Sequence, residues 1–128
     1  MVRIPDDFLD VMDKKGYAHM ATIGPKGEPH SSPVWYDWDG EHLLVSHTKE
    51  RQKFANIQRD PRVALSILDP EDPYRFVEIR GSVEVIDDPE KTLIHKLAGK
   101  YQGKERYNDA PGNNRVIFKI TPTRVVTH

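Results

Sequence analysis

Apolar and polar residues alternate with a period of two in several short segments of this chain, separated by turn-rich stretches and by three segments of helical period. The cleanest alternation runs from Arg75 to Ile86. Val77, Ile79, Val83 and Val85 share one face, Phe76, Glu78, Arg80, Ser82 and Glu84 the other, and Gly81 breaks the series as a predicted bulge or bend. Shorter strands are predicted over Tyr17–Ile23, His30–Asp37, Glu41–Ser46, Arg62–Leu68 and Arg115–Thr121, with Val125 and Val126 as a short extension. The run GPKGEP (Gly24–Pro29) and the Trp38-Asp39-Gly40 turn, with its Asp-Gly hairpin signal, would join the first three strands into a meander. Asp69–Tyr74 (DPEDPY) is rich in proline and acid and reads as a surface loop, and Gly103–Asn114 as an irregular polar segment.

Three helices interrupt the strands. Ile4–Lys15 has Pro5 and two aspartates at its positive end, Phe8, Val11 and Met12 on one face, and Gly16 as its stop. Asp88-Pro89-Glu90 opens a helix to about Lys100, with Leu93, Leu97 and Tyr101 four residues apart. A short basic helix follows the third strand. About six mostly antiparallel strands with peripheral helices predict a mainly β fold, a closed or nearly closed barrel. With 128 residues and no repeat or boundary, residues 1–128 are expected to form one domain around one core.

Composition narrows the function classes. A net charge of −1 with 30% charged residues argues against general nucleic-acid binding. The absence of cysteine removes disulfides and thiolate zinc sites and makes the cytosol the expected compartment. The acidic N-terminal stretch lacks the apolar core of a signal peptide, and no apolar run approaches the roughly 20 residues that span a bilayer. A soluble intracellular protein is expected.

Against that neutral background the positive charge is concentrated. From Lys49 to Arg62 stand five cations (Lys49, Arg51, Lys53, Arg59, Arg62) against Glu50 and Asp60, a local +3. They follow a strand ending in small polar residues, a junction that points backbone N–H groups, hydroxyls and cations at one place, as an anionic phosphate requires. Thr48 is the predicted N-cap and Arg51 falls in the first helical turn; Ser46, Thr48, Arg51 and Lys53 are the candidate donors. The competing reading is a solvated basic helix face. Asn56 either faces a ligand or caps a turn, and Arg62 starts the next strand.

A second candidate is His30–Tyr36. Pro33 inside a strand requires an edge or bulge, leaving backbone groups free for the heteroatom edge of a flat ring packed on Val34 and Trp35. An ordinary edge strand with aromatic core residues fits the same pattern. The six histidines (positions 19, 30, 42, 47, 95 and 128) lack metal-ligand spacing, and no P-loop, GxGxxG or GxSxG is present. With no evident protein nucleophile, any redox chemistry here belongs to a bound cofactor.

Together the stretches FLDVMDKKGYAHMATIGPKGEPHSSPVWYDWDGEHLLVSHT, KERQKFANIQRDPRVALSILDPEDPYRFVEIRGSVEVI, HKLAGKYQGKERY and RVIFKITPTRV resemble, in order and over nearly the whole chain, the split β-barrel flavin/deazaflavin oxidoreductases. These form the pyridoxamine 5′-phosphate oxidase-like group, and the likeness is greatest to its small members described as F-420-dependent. The resemblance implies a six-stranded antiparallel split barrel acting as a homodimer, with F-420, or alternatively FMN, in grooves between subunits. It implies that Ser46, His47, Thr48, Arg51, Lys53 and Asn56 hold the cofactor phosphate. His30, Ser32, Pro33, Val34 and Trp35 would lie along the ring, and Tyr74 and Phe76 would line the ring or substrate pocket. The implied activity is hydride transfer to a conjugated small molecule; a non-catalytic carrier of the same cofactor is the alternative from another class. The fuller RxVLLK-type flavin signature and extra substrate arginines of pyridoxamine-phosphate oxidases are absent, and Pro33 stands where some relatives have a polar side chain. Both departures weigh against vitamin B6 oxidation.

Overall fold

The computed structural model describes residues 2–128. Its elements are a 3-10 turn Asp6–Phe8, α1 Leu9–Asp13, β1 Ala18–Ile23, β2 Pro29–Val34, β3 Asp37–Trp38, β4 Leu43–Thr48, α2 Gln52–Arg59, β5 Arg62–Asp69, β6 Asp72–Asp87, α3 Thr92–Gln102 and β7 Arg115–Thr127. The strands make one antiparallel seven-stranded sheet in the order β2-β1-β5-β6-β7-β4-β3, curled into the half-barrel of a split-barrel fold. Its two ends, β2 and β3, are not hydrogen-bonded to each other.

Inward alternation builds the core. Met20, Leu65, Ile67, Val77, Ile79, Val45, Phe118 and Ile120 are all buried, and Val11 and Met12 of α1 pack onto them. The expected face of β6 is the buried one, and the irregularity foreseen at Gly81 lies opposite Pro122, where β7 carries Thr123 as an extra residue. A Cβ at Gly81 would come within 2.3 Å of the Thr121 carbonyl oxygen, so close approach of the two strands selects glycine.

Four expectations are corrected. The first three strands are not a meander: β1 pairs with β2, but β4 pairs with β7 at the opposite end of the sheet. Tyr36 supplies the reason. Its side chain is fully buried, its hydroxyl donates to the Val11 carbonyl at 2.9 Å, and its own carbonyl accepts Lys100 Nζ at 2.8 Å. The chain therefore leaves β2 after Val34, anchored in the core by Tyr36 alone, instead of continuing as strand to Asp37. A short seventh strand, Asp37–Trp38, pairs with Leu43–Leu44 around the foreseen Asp39-Gly40 turn. Second, Asp69–Tyr74 is not a loop: β5 continues to Asp69 and β6 begins at Asp72, with Asp69 paired to Asp72 across a bulge. Buried Asp69 accepts from Lys14 and Arg75, which holds this acidic hairpin against the N-terminal segment. Third, the N-terminal helix is a 3-10 turn followed by five α-helical residues, ending before Lys14. Fourth, α3 begins at Thr92, four residues after its expected cap. Asp88 still caps it, accepting from the Thr92 and Leu93 N–H groups at 3.1 and 3.0 Å. Among the described residues no helix is long and apolar enough to cross a membrane.

Candidate functional site

A cleft of about 260 Å³ opens where the ends of β2 and β4 meet the start of α2. Pro33, Val34 and Trp35 come from the exit of β2, which is an edge strand and so tolerates Pro29 and Pro33. Ser46, His47 and Thr48 come from the end of β4, and Arg51 and Lys53 from the entry to α2. Eight of the sequence candidates thus share one cavity. The N-cap assignment changes: Arg51, not Thr48, is the N-cap residue, and no side chain caps the helix. Arg51 stands just before the first turn, with uncapped helix N–H groups beside it.

The basic cluster sorts by partner. Lys49 pairs with Asp87 at 3.0 Å and Arg62 with Asp60 at 2.7 Å, while Arg59 donates to the Ile23 carbonyl at 2.7 Å. Among the described residues no carboxylate lies within 4.0 Å of Arg51 or Lys53. Burial, reinforced by the charge on Arg51, pushes Lys53 down to about 8. Burial also lowers His47 to about 3, with Lys53, Arg51 and Arg115 adding to the effect, so its imidazole is neutral at pH 7. His47 packs against Phe118, with ring centroids 5.3 Å apart, and its Nε2 is buried without a partner. A cleft with two unpaired cations, the Ser46 and Thr48 hydroxyls and an orphaned imidazole nitrogen is chemically suited to an anion.

The other half of the cleft is apolar and aromatic. Tyr17, Ile94, Leu97 and Tyr107 line it, together with Arg115 at its rim. None of these five was a sequence candidate: Leu97 reads only as part of a helical apolar spacing, Tyr17 and Arg115 as strand starts, Ile94 carries no signal of its own, and Tyr107 sits in a stretch without periodicity. Trp35 is backed by Tyr101 and meets Tyr107 edge-on, with centroids 5.9 Å apart and planes at 86°. Arg115 grips Asp109 through Nε and Nη2 at 2.9 and 3.0 Å and lies over the Tyr107 ring. The Arg115 guanidinium holds the Asp109 carboxyl well below the usual carboxylate range.

The remaining candidates lie elsewhere. His30, Ser32 and Asn56 line a smaller polar recess that shares Lys53 with the cleft. Asn56 is fully buried. Its Oδ1 accepts from Gln52 at 2.8 Å, and its Nδ2 donates to Thr22 Oγ1 and faces His30 Nδ1, both at 3.0 Å. The amide ties α2 to β1 and β2. Tyr74, 85% exposed, and Phe76, packed on His128, do not line the cleft of this chain.

Comparison with known proteins gives this geometry a context. The chain is 34% identical over 119 residues to the 5a,11a-dehydrotetracycline/5a,11a-dehydrooxytetracycline reductase of Streptomyces rimosus, covering 88% of this chain and 74% of that protein. It is 29% identical to general stress protein 26 of Bacillus subtilis, over 93% and 84% of the two chains. Among solved structures, an F420 reductase superposes with a TM-score of 0.87 at 36% identity, over 96% of this chain and 98% of the other. A conserved hypothetical protein of Mycobacterium tuberculosis superposes at 0.77 with 28% identity, over 99% and 85%. The model of the pyridoxamine 5′-phosphate oxidase family matches residues 4–128, and this chain, with its split-barrel sheet, belongs to that family of oxidoreductases.

Proposed function

We propose that this protein is an F-420-dependent reductase that delivers a hydride to a conjugated, electron-poor small molecule. The observation that carries the reading is the pairing, in one cleft, of two cations without carboxylate partners and an aromatic wall. That pairing matches a ligand with one phosphate and one flat ring, and the likeness to a solved F420 reductase supports the deazaflavin over FMN. Arg51 and Lys53, with the Ser46 and Thr48 hydroxyls, would anchor the phosphate: the arginine through paired N–H groups, the lysine as a point charge. The free edge of β2 at Val34, with Trp35 just beyond the strand, would orient the ring. When bound, the reduced ring supplies a hydride to the acceptor's electron-poor carbon, and water supplies the proton that completes the reduction. The protein contributes anchoring, alignment and exclusion of bulk water from an apolar wall.

The chain is read as one cofactor-binding domain that pairs with a second copy. A cleft of about 260 Å³ lies just under the roughly 300–1,000 Å³ of small-molecule sites, which supports completion of the site by a partner. In that arrangement Tyr74 and Phe76 would reach a cofactor only from the partner subunit. FMN in the same cleft is the second reading, supported by the family itself. Titration of the purified protein separates the two: saturable quenching of F-420 fluorescence with weaker FMN binding is expected. Tight FMN binding with no F-420 response would replace the deazaflavin reading. Tight binding of either cofactor without turnover of any enone or quinone would make the protein a carrier.

A further inference from the structure

The loop of residues 103–114 has no regular structure, yet it is tied down along its length. The Tyr107 N–H donates to His95 Nδ1 on α3 at 2.9 Å. Asp109 takes two bonds from Arg115 and a third from Asn113 Nδ2 at 2.7 Å, and its side chain is only 4% exposed. Lys91 Nζ adds a second cation at 3.2 Å. A solvent loop does not need a buried carboxylate with two cationic partners; this one holds a single aromatic ring in a cleft. That ring, Tyr107, stands perpendicular to Trp35, so the two make a right-angled aromatic corner. Arg115 binds Asp109 on one side, covers Tyr107, and reaches Ser46 Oγ at 3.5 Å on the other. One guanidinium therefore joins the aromatic corner to the anion-binding end.

We propose that Tyr107, held in place by the Asp109–Arg115 ion pair, is the acceptor-selecting wall of the cleft and favours flat, aromatic or quinonoid acceptors over small non-aromatic ones. This rests on the reading of the cleft as a redox-cofactor site, with the acceptor beside the ring that Val34 and Trp35 align. Tyr107 would touch the acceptor; Asp109 is a positioning residue that acts through Arg115. The arrangement also predicts opposite effects at the two ends of the cleft. Releasing Arg115 from its carboxylate loosens the aromatic wall and adds an unpaired cation beside the anion site.

Equilibrium dialysis with menadione as a flat bicyclic probe and 2-cyclohexen-1-one as a small non-aromatic one tests this, with fluorescence titration of F-420 and FMN run in parallel. The parent protein should bind menadione more tightly than cyclohexenone. Tyr107→Phe should bind menadione like the parent, and Tyr107→Leu roughly three- to tenfold more weakly, the worth of one aromatic contact, with cofactor affinity unchanged. Asp109→Asn should weaken menadione while leaving cofactor binding equal or tighter. No menadione preference in the parent, equal binding by Tyr107→Leu, or parallel loss of menadione and cofactor in Asp109→Asn would overturn the proposal. If neither cofactor binds while the Tyr107 series behaves as stated, the cofactor reading fails and the aromatic wall stands.

Discussion

Trp35 lies flat on Tyr101, with ring centroids 4.9 Å apart and planes 4° from parallel. The contact joins the exit of the edge strand β2 to the last turn of α3 and presents Trp35 to the cleft from a fixed support. Tyr101 is itself anchored, its hydroxyl donating to the Gly16 carbonyl at 2.6 Å and accepting from the Tyr36 N–H at 3.3 Å. Lys100, over the rings of Tyr36 and Tyr101, locks the same corner.

Tyr101→Phe removes the hydroxyl and leaves the Gly16 carbonyl and Tyr36 N–H without that partner, a loss of about 1–2 kcal/mol. Tyr101→Ala removes the stack as well and should cost roughly 2–4 kcal/mol, less than a fully buried aromatic because Tyr101 is only part-buried. Urea unfolding gives both values, and near-UV circular dichroism should lose the Trp35 signal only in the alanine variant. Equal stability of the two variants would mean the stack contributes nothing.

Lys53→Ala should weaken the preferred cofactor by on the order of 1.5–3 kcal/mol, the range for hydrogen bonds to charged groups. An unchanged dissociation constant would remove Lys53 from the site. The pH dependence follows from its depressed value of about 8 in the free protein. Binding an anion favours the protonated amine and raises that value, so affinity is full below about 8 and declines as pH rises above it. Titrations between pH 7.5 and 10 should show this decline in the parent, together with proton uptake on binding near pH 8. Neither should appear in Lys53→Arg.

The neutral, buried His47 makes the cofactor-free protein acid-sensitive in an unusual window. Its folded-state value, lowered from 6.5 to about 3, means the unfolded chain takes up a proton that the folded chain refuses. Stability is therefore full above 6.5 and declines as pH falls toward 3, by on the order of 1 kcal/mol per pH unit. Urea midpoints measured between pH 7 and 5, above the main carboxylate range, isolate this contribution. His47→Gln should flatten the slope there, and an identical slope in the variant would assign the acid sensitivity elsewhere.

Gly81→Ala places a methyl group 2.3 Å from the Thr121 carbonyl oxygen, a backbone atom that cannot rotate away. The β6–β7 pairing would have to shift, at a cost of about 3 kcal/mol or more. Thermal unfolding should show a large drop in midpoint. Gly112→Ala, whose added Cβ meets nothing within 4 Å, should be near neutral.

Local pattern was enough wherever a residue's position depended on its near neighbours. The alternation of Val77, Ile79, Val83 and Val85, the break at Gly81, the edge position implied by Pro33 and the gathering of Ser46, Thr48, Arg51 and Lys53 at a strand-to-helix junction were all legible in the chain. Each is a short-range steric or charge effect that operates within a few residues. Partners distant in sequence were not legible. Nothing around Tyr36 announces that its hydroxyl will seek the Val11 carbonyl, or that the connection it anchors carries β4 to the far end of the sheet. Arg115 meets Ser46 only because β7 pairs with β4, and Tyr107 meets Trp35 only because the loop before β7 folds over the exit of β2.

One physical asymmetry accounts for this division. Hydrophobic period and turn sterics are properties of a local stretch, whereas burial of an ion pair or the crossing of two rings is decided by which distant surfaces the barrel folds against each other. The cation cluster shows both sides of it. Its charge is plain in the sequence, but only the folded chain neutralises Lys49 with Asp87 and Arg62 with Asp60 and leaves Arg51 and Lys53 for the cleft.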